Sequence, residues 1–142
     1  MEQIKYKEGF KYQLVGDYVV EINLDLPVGF KVVQYYIELS HVRPGRSLLR
    51  IFTGYAWDGA SGPTWDDKKN MRSSLVHDVL YQLMRYGFLS RAHRKQVDMI
   101  FRQMCIDDGM NRVRAWYYYH AVRKFAGSAV MGRTARKVLV AP

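Results

Sequence analysis

Residues 74–83 read SLVHDVLYQL, an apolar run broken by His77, Asp78 and Tyr81. On a helix turning about 100° per residue, with His77 at zero, Leu75, Val76, Val79, Leu80, Leu83 and Met84 sweep from about 160° to 340°. Tyr81 then falls near 40° and Asp78 near 100°, on the scale of about 100° per residue. The polar-capable side chains therefore share one edge beside a broad apolar face. Such an edge is either a solvated border or a site.

Outward from this run the pattern stays helical. Asn70 stands where a helix to about Tyr86 would be capped, with Gly87 as its stop. Ser90 can cap a second helix, Arg91 to Asp108, ended by Gly109. Asn111 can cap a third, Arg112 to about Ala126, ended by Gly127. Upstream, Gly54–Asn70 (GYAWDGASGPTWDDKKN) has no period, and a loop this long in a compact domain is usually functional or disordered. Tyr55, Trp57 and Trp65 argue for a loop pinned to the body.

The first 55 or so residues read as β-rich. Phe10–Val15 and Tyr18–Ile22 flank Gly16-Asp17, a candidate tight turn between paired strands. A strand is expected over Phe30–Leu39, then a turn at Arg43-Pro44-Gly45-Arg46 and a further strand over Ser47–Thr53. The expected architecture is α+β: a small antiparallel β-rich segment (1–55), a loop with three helices (56–127), and a basic tail (128–142) read as a mobile arm.

The chain has 142 residues, 49% of them hydrophobic, enough for a genuine core. No apolar run approaches the ~18 residues of a membrane span. The charged N-terminus MEQIKYKEGF lacks an apolar signal region. Cys105, the single cysteine, cannot form an intramolecular disulfide. The formal net charge is +9, and after Asp108 there is no acidic residue, only Arg112, Arg114, Arg123, Lys124, Arg133, Arg136 and Lys137 among the charged ones. That excess favours anionic partners: a lipid surface, an acidic protein or nucleic acid, against the plain alternative of a solvated face.

The second helix carries Val97, Phe101, Met104 and Cys105 on its apolar side, and Asp98 lies on the same side. A carboxylate there has to be paired or strongly hydrogen-bonded. The short connector 87–90 makes the two helices antiparallel neighbours, which brings Asp98 level with His77 or Tyr81. A histidine beside such a carboxylate is a tuned base. His41, His93 and His120 share no metal-ligand spacing, and Cys105 adds none. Asp107-Asp108 opposes the helix dipole and is expected to face solvent. Tyr117, Tyr118 and Tyr119 point to three sides of a helix, which suits packing better than base stacking.

These residues resemble the short bacterial and fungal branch of the secreted phospholipase A2 superfamily. His77-Asp78-x-x-Tyr81 is similar to that family's active-site helix, Asp98 with Phe101 to its D-x-x-F pattern, and Ala115–Arg123 (AWYYYHAVR) to its closing helix. Asp58-Gly59-Ala60-Ser61 with Pro63 resembles its calcium loop. A phage-encoded family with a D-G-A-S…H-D-x-x-Y layout is the most similar group. The resemblance covers about residues 56–127.

It implies a calcium-dependent hydrolysis of the phospholipid sn-2 ester. His77 would be the general base, Asp98 its orienting partner, and Tyr81 a donor to Asp98. Asp58, the Gly59 carbonyl and Asp78 would bind calcium. The implied partner is an anionic phospholipid surface, or a phage or host protein, with nucleic acid a weaker third. The protein would be made in the host cytoplasm and could enter a virion. The chain departs from the family in three places: Ala60 replaces the loop cysteine, Leu75 or a neighbour replaces its helical partner, and the β-rich first half has no counterpart in the short-branch enzymes. The alternative is a non-enzymatic phage structural or interaction protein that reuses the scaffold.

Overall fold

The structure, a computed structural model, describes residues 6–7, 12–57 and 68–131. It is α+β: antiparallel sheets occupy the N-terminal half and three helices the C-terminal half. The chain divides near Asp58 into two compact units, the strands in the first and the helices in the second.

The first unit holds β1 (Tyr6–Lys7), β2 (Tyr12–Leu14), β3 (Tyr18–Ile22), β4 (Lys31–Gln34), β5 (Ile37–Arg43), β6 (Arg46–Ile51) and β7 (Ala56–Trp57). All pairings are antiparallel, in the orders β1-β2-β7 and β3-β6-β5-β4. The inward residues Tyr18, Ile22, Ile37, Leu39, Leu49 and Ile51 are buried, as the two-residue period of a one-sided sheet requires. Glu21 on β3 takes ion pairs from Arg43 and Arg46.

Two expectations from the sequence fail here. Gly16-Asp17 does not join paired strands: β2 and β3 both pair with the segment running from β6 into β7, in one register from Tyr12 opposite Trp57 to Ile22 opposite Ser47. The reason lies in Asp17, whose carboxylate accepts from Thr53 N and Thr53 Oγ1, each at 2.8 Å, and so ties the bend across to the other strand. Leu14 and Gly54 continue the ladder through Leu14 N–H to Tyr55 O and Gly54 N–H to Leu14 O.

Phe30–Leu39 is not one strand but a hairpin, β4 turning into β5 at Tyr35-Tyr36 with Gln34 opposite Ile37. Tyr35 adopts φ +33° to make that turn. Residues 56–57, grouped with the helices on sequence grounds, form β7 and pair with β2. Trp57 and Tyr55 are buried there, and the Trp57 ring packs against Tyr12.

In the second unit, α1 spans Met71–Arg85, α2 Arg94–Asp107 and α3 Arg112–Phe125. For α1 and α2 the stops are where glycine was expected, whereas Gly127 opens a 3-10 turn after α3 instead of closing it. Gly87 N–H bonds Met84 O and Phe88 N–H bonds Leu83 O; Gly109 N–H bonds Ile106 O and Met110 N–H bonds Cys105 O. Both glycines have positive φ, the left-handed conformation that closes a helix in this way.

At the starts, Asn111 Oδ1 accepts from Arg114 N at 2.8 Å, as a cap should. Ser90 caps a single 3-10 turn (Arg91–His93) that leads into α2, so α2 itself begins at Arg94. Asn70 makes no side-chain cap bond; its carbonyl accepts from Ser74 N and Ser73 Oγ. The tail's first residues are not a free arm: residues 127–130 form a 3-10 turn with Val130 buried, and Arg85 donates to Ala129 O. The tail beyond Met131 lies outside the described residues.

Helix α1 is buried along all its length except Asp78 and Arg85. Its antiparallel neighbour α2 packs in turn on α3 through Phe101, Cys105, Met110, Ala115, Tyr118 and Val122. This places the His77 edge of α1 against the Asp98 side of α2.

Candidate active site

His77 and Tyr81 sit one turn apart on α1, which brings both side chains to the same point on α2. His77 Nε2 lies 2.7 Å and Tyr81 Oη 2.5 Å from Asp98 Oδ1. The His77 ring packs at a tilt against Tyr81, 4.0 Å centroid to centroid, and against Phe101 at 5.1 Å. The edge is therefore no solvated border: His77 is 5% exposed and Asp98 0%.

Two arginines complete the cluster. Arg123 Nη1, from α3, donates to Asp98 Oδ2 at 2.8 Å, and Arg94 Nε lies 4.0 Å from the same oxygen. Arg94 Nε also donates to Tyr81 Oη at 3.0 Å, while its Nη2 donates to the carbonyls of Val122 and Arg123. A carboxylate removed from water without partners costs several kcal/mol or takes up a proton. Burial pushes the Asp98 carboxyl up. The bonds from His77, Tyr81 and Arg123 outweigh that and hold it below its ordinary value. Burial, then the bond to Asp98, pushes the Tyr81 hydroxyl well above its ordinary range.

An ionised carboxylate only accepts, so the bond assigns the imidazole proton to Nε2. When His77 is neutral, Nδ1 then carries the lone pair. A fixed carboxylate, an oriented imidazole and a free ring nitrogen are the parts of a general base.

Of the residues expected at the site, the structure brings His77, Tyr81 and Asp98 together. Asp78 lies one position along α1 from His77 and is half-buried. Asp58, Gly59 and the rest of the expected calcium loop lie outside the described residues. Among the described residues, no three His, Cys, Asp or Glu side chains gather as a metal would require.

Sequence reasoning missed Arg94 and Arg123. Arg94 was detectable, four residues before Asp98 on one helix face. Arg123 was not, because it stood out only as the last residue of the Ala115–Arg123 run and nothing there set its register against Asp98. Asp108 also departs from expectation: it does not face solvent but meets Arg72 of α1 in a two-pronged ion pair. Asp107 is exposed, and Gln103 Nε2 donates to it.

Comparison with known proteins gives one match, the model described as a protein of unknown function, DUF1353, over residues 37–122. The chain belongs to the DUF1353 family. No curated protein and no solved structure matches it. The DUF1353 match runs from β5 into the last turn of α3, so it includes His77, Asp78, Tyr81 and Asp98 and stops one residue short of Arg123.

Past the cluster, α3 turns Ala115, Tyr118, Ala121 and Val122 inward and leaves Val113, Trp116, Tyr117 and Phe125 exposed. Trp116 packs on His120 at 4.4 Å. Arg112 and Lys124 are exposed on the same helix, and no acidic residue follows Asp108 in the chain. No described helix is long and apolar enough to cross a membrane.

Proposed function

We propose that this DUF1353 protein is a phage-encoded, calcium-dependent ester hydrolase of the phospholipase A2 type, made in the host cytoplasm and acting on anionic phospholipid. The observation that carries the reading is the buried His77–Asp98–Tyr81 cluster, in which one carboxylate oxygen accepts from both an imidazole and a phenol. Asp98 and Tyr81 orient His77, and His77 Nδ1 takes the proton of the water that attacks the ester carbonyl. Calcium would act as a Lewis acid on that carbonyl, with Asp78 the one expected ligand among the described residues. The exposed aromatic and basic residues of α3 support an anionic lipid surface as partner.

The test is fatty-acid release from mixed anionic phospholipid vesicles, with calcium or with chelator, for wild type and His77→Ala. The expected result is calcium-dependent release that falls about 10²-fold or more in the variant, the usual worth of a general base. A folded wild-type protein that releases nothing would sink the reading.

One observation favours a second reading, a non-enzymatic phage structural or interaction component. His77 is 5% exposed, and its partner Asp98 is bonded to Arg123 as well, the setting of a structural ionic cluster. A fold outlasts its chemistry readily enough for both readings to share these residues.

A further inference from the structure

We propose that Arg123 is the positioning residue of the His77–Asp98 pair: by holding Asp98 Oδ2 it fixes the rotation of the carboxylate and, through it, which nitrogen of His77 carries the proton.

Asp98 reaches His77 from α2 through a short side chain whose last torsion is intrinsically loose, a broad two-fold well. One hydrogen-bonded oxygen does not define that torsion. His77 and Tyr81 both act on Oδ1, so both leave Oδ2 free to swing. Arg123 Nη1, at 2.8 Å from Oδ2, is the closest donor to it among the described residues, with Arg94 Nε at 4.0 Å. With both oxygens engaged from opposite sides, the plane of the carboxylate is set and Oδ1 faces Nε2.

Arg123 is itself held. Its backbone carbonyl accepts from Arg94 Nη2 at 2.7 Å, and Arg94 Nε donates to Tyr81 Oη at 3.0 Å. The bonds close a ring, Tyr81 to Asp98 to Arg123 to Arg94 and back to Tyr81, that draws on all three helices. The end of α3 thereby belongs to the site.

The cation also keeps the buried carboxylate ionised and acceptor-only. Without it, Asp98 rotates or takes up a proton, and the Nε2–H form of the imidazole loses its reason to be preferred. A proton that moves to Nδ1 removes the lone pair a base needs. Lysine would keep the charge but not the planar fork that fixes the geometry.

The experiment compares wild type, Arg123→Gln and Arg123→Lys by ring-¹⁵N NMR of His77 at one alkaline pH, with circular dichroism and melting as controls for folding. The wild-type ring should carry its proton on Nε2. The glutamine variant should show both tautomers, and the lysine variant an intermediate mixture. Vesicle hydrolysis should show kcat falling about tenfold or more in the glutamine variant with KM little changed, since misplacement of a catalytic group is felt in the chemical step.

A wild-type ring with its proton on Nδ1 overturns the proposal. So does a folded glutamine variant with a wild-type ring and kcat but a lower melting temperature, which would make Arg123 only a tie for α3. Should the glutamine variant not fold, a lysine variant identical to wild type in both readouts overturns it. The kinetic arm rests on the hydrolase reading, but the ring arm does not. A wild type that hydrolyses nothing yet loses its Nε2–H preference in the glutamine variant defeats that reading and leaves the role of Arg123 standing.

Discussion

Arg72, at the start of α1, grips Asp108, at the end of α2, through Nε at 3.1 Å and Nη2 at 2.9 Å, one to each carboxylate oxygen. Asp108 sits at a helix C-terminus, where its charge opposes the dipole. The pair repays that and fastens the two site helices at the end away from Arg94. The side chains are 8% and 15% exposed, so the bond is shielded from solvent. Asp108→Leu should lower unfolding stability by about 3 kcal/mol, because it takes a shielded carboxylate away from a buried guanidinium. The double variant Arg72→Leu/Asp108→Leu should cost less than the sum of the single changes. Urea unfolding of all four proteins measures the coupling; strictly additive values would show that the pair contributes nothing of its own.

Stability should fall at both ends of the pH scale, for opposite reasons. The Asp98 carboxyl is held below its ordinary 3.8, so the folded state prefers it ionised. Its contribution is complete above that value and is lost as pH falls below it. Tyr81 is shifted the other way from its ordinary 10.0, so the folded state keeps its proton when the unfolded chain has lost it. That contribution is complete below pH 10.0 and is lost as pH rises beyond it. Asp17 adds to the acid limb in the first unit, its carboxyl lowered by the Thr53 N–H and hydroxyl bonds. Tyr81→Phe should be less stable at neutral pH by about 1.5–3 kcal/mol, the worth of a hydrogen bond to a charged group. It should also show a shallower decline in stability above pH 10.0. An unchanged alkaline limb in that variant would mean the cluster does not hold the phenol proton.

The helices were legible because their ends are written in single residues. Gly87, Gly109 and Asn111 do what their side chains, or lack of one, permit, and the boundaries follow. The His77–Asp98 contact was legible too, since a short connector and two apolar stripes leave Asp98 few places to go. The sheet was harder. Gly16-Asp17 has the composition of a hairpin turn, yet Asp17 spends its carboxylate on Thr53, a partner 36 residues away that local pattern cannot reveal. Tyr35-Tyr36 makes a true hairpin turn with neither of the residues that normally announce one. Arg123 belongs with this second group, because it is a half-buried cation in a basic helix and nothing in its spacing sets it apart from the solvated ones.

The Tyr35 turn offers a direct check on that account. Its φ of +33° lies in the left-handed region, which a side chain with a Cβ enters at a cost of about 1–2 kcal/mol. Tyr35 is 82% exposed, so its ring returns little burial energy. What holds the turn is the pairing on either side, Gln34 with Ile37, and the bond from Phe52 N–H to Tyr36 O. Tyr35→Gly should therefore relieve strain while losing almost no packing. Glycine's greater freedom in the unfolded chain offsets part of the gain. The net expectation is a stabilisation of about 0.5–1 kcal/mol, a difference between the αL relief and the glycine entropy. Tyr35→Val should go the other way, since a β-branched residue tolerates positive φ worst. Chemical denaturation followed by Trp57 fluorescence, in a Trp65→Phe/Trp116→Phe background so that the signal comes from the first unit, would read both. A glycine variant clearly less stable than tyrosine would mean that the exposed ring makes a contribution the strained backbone is kept to deliver.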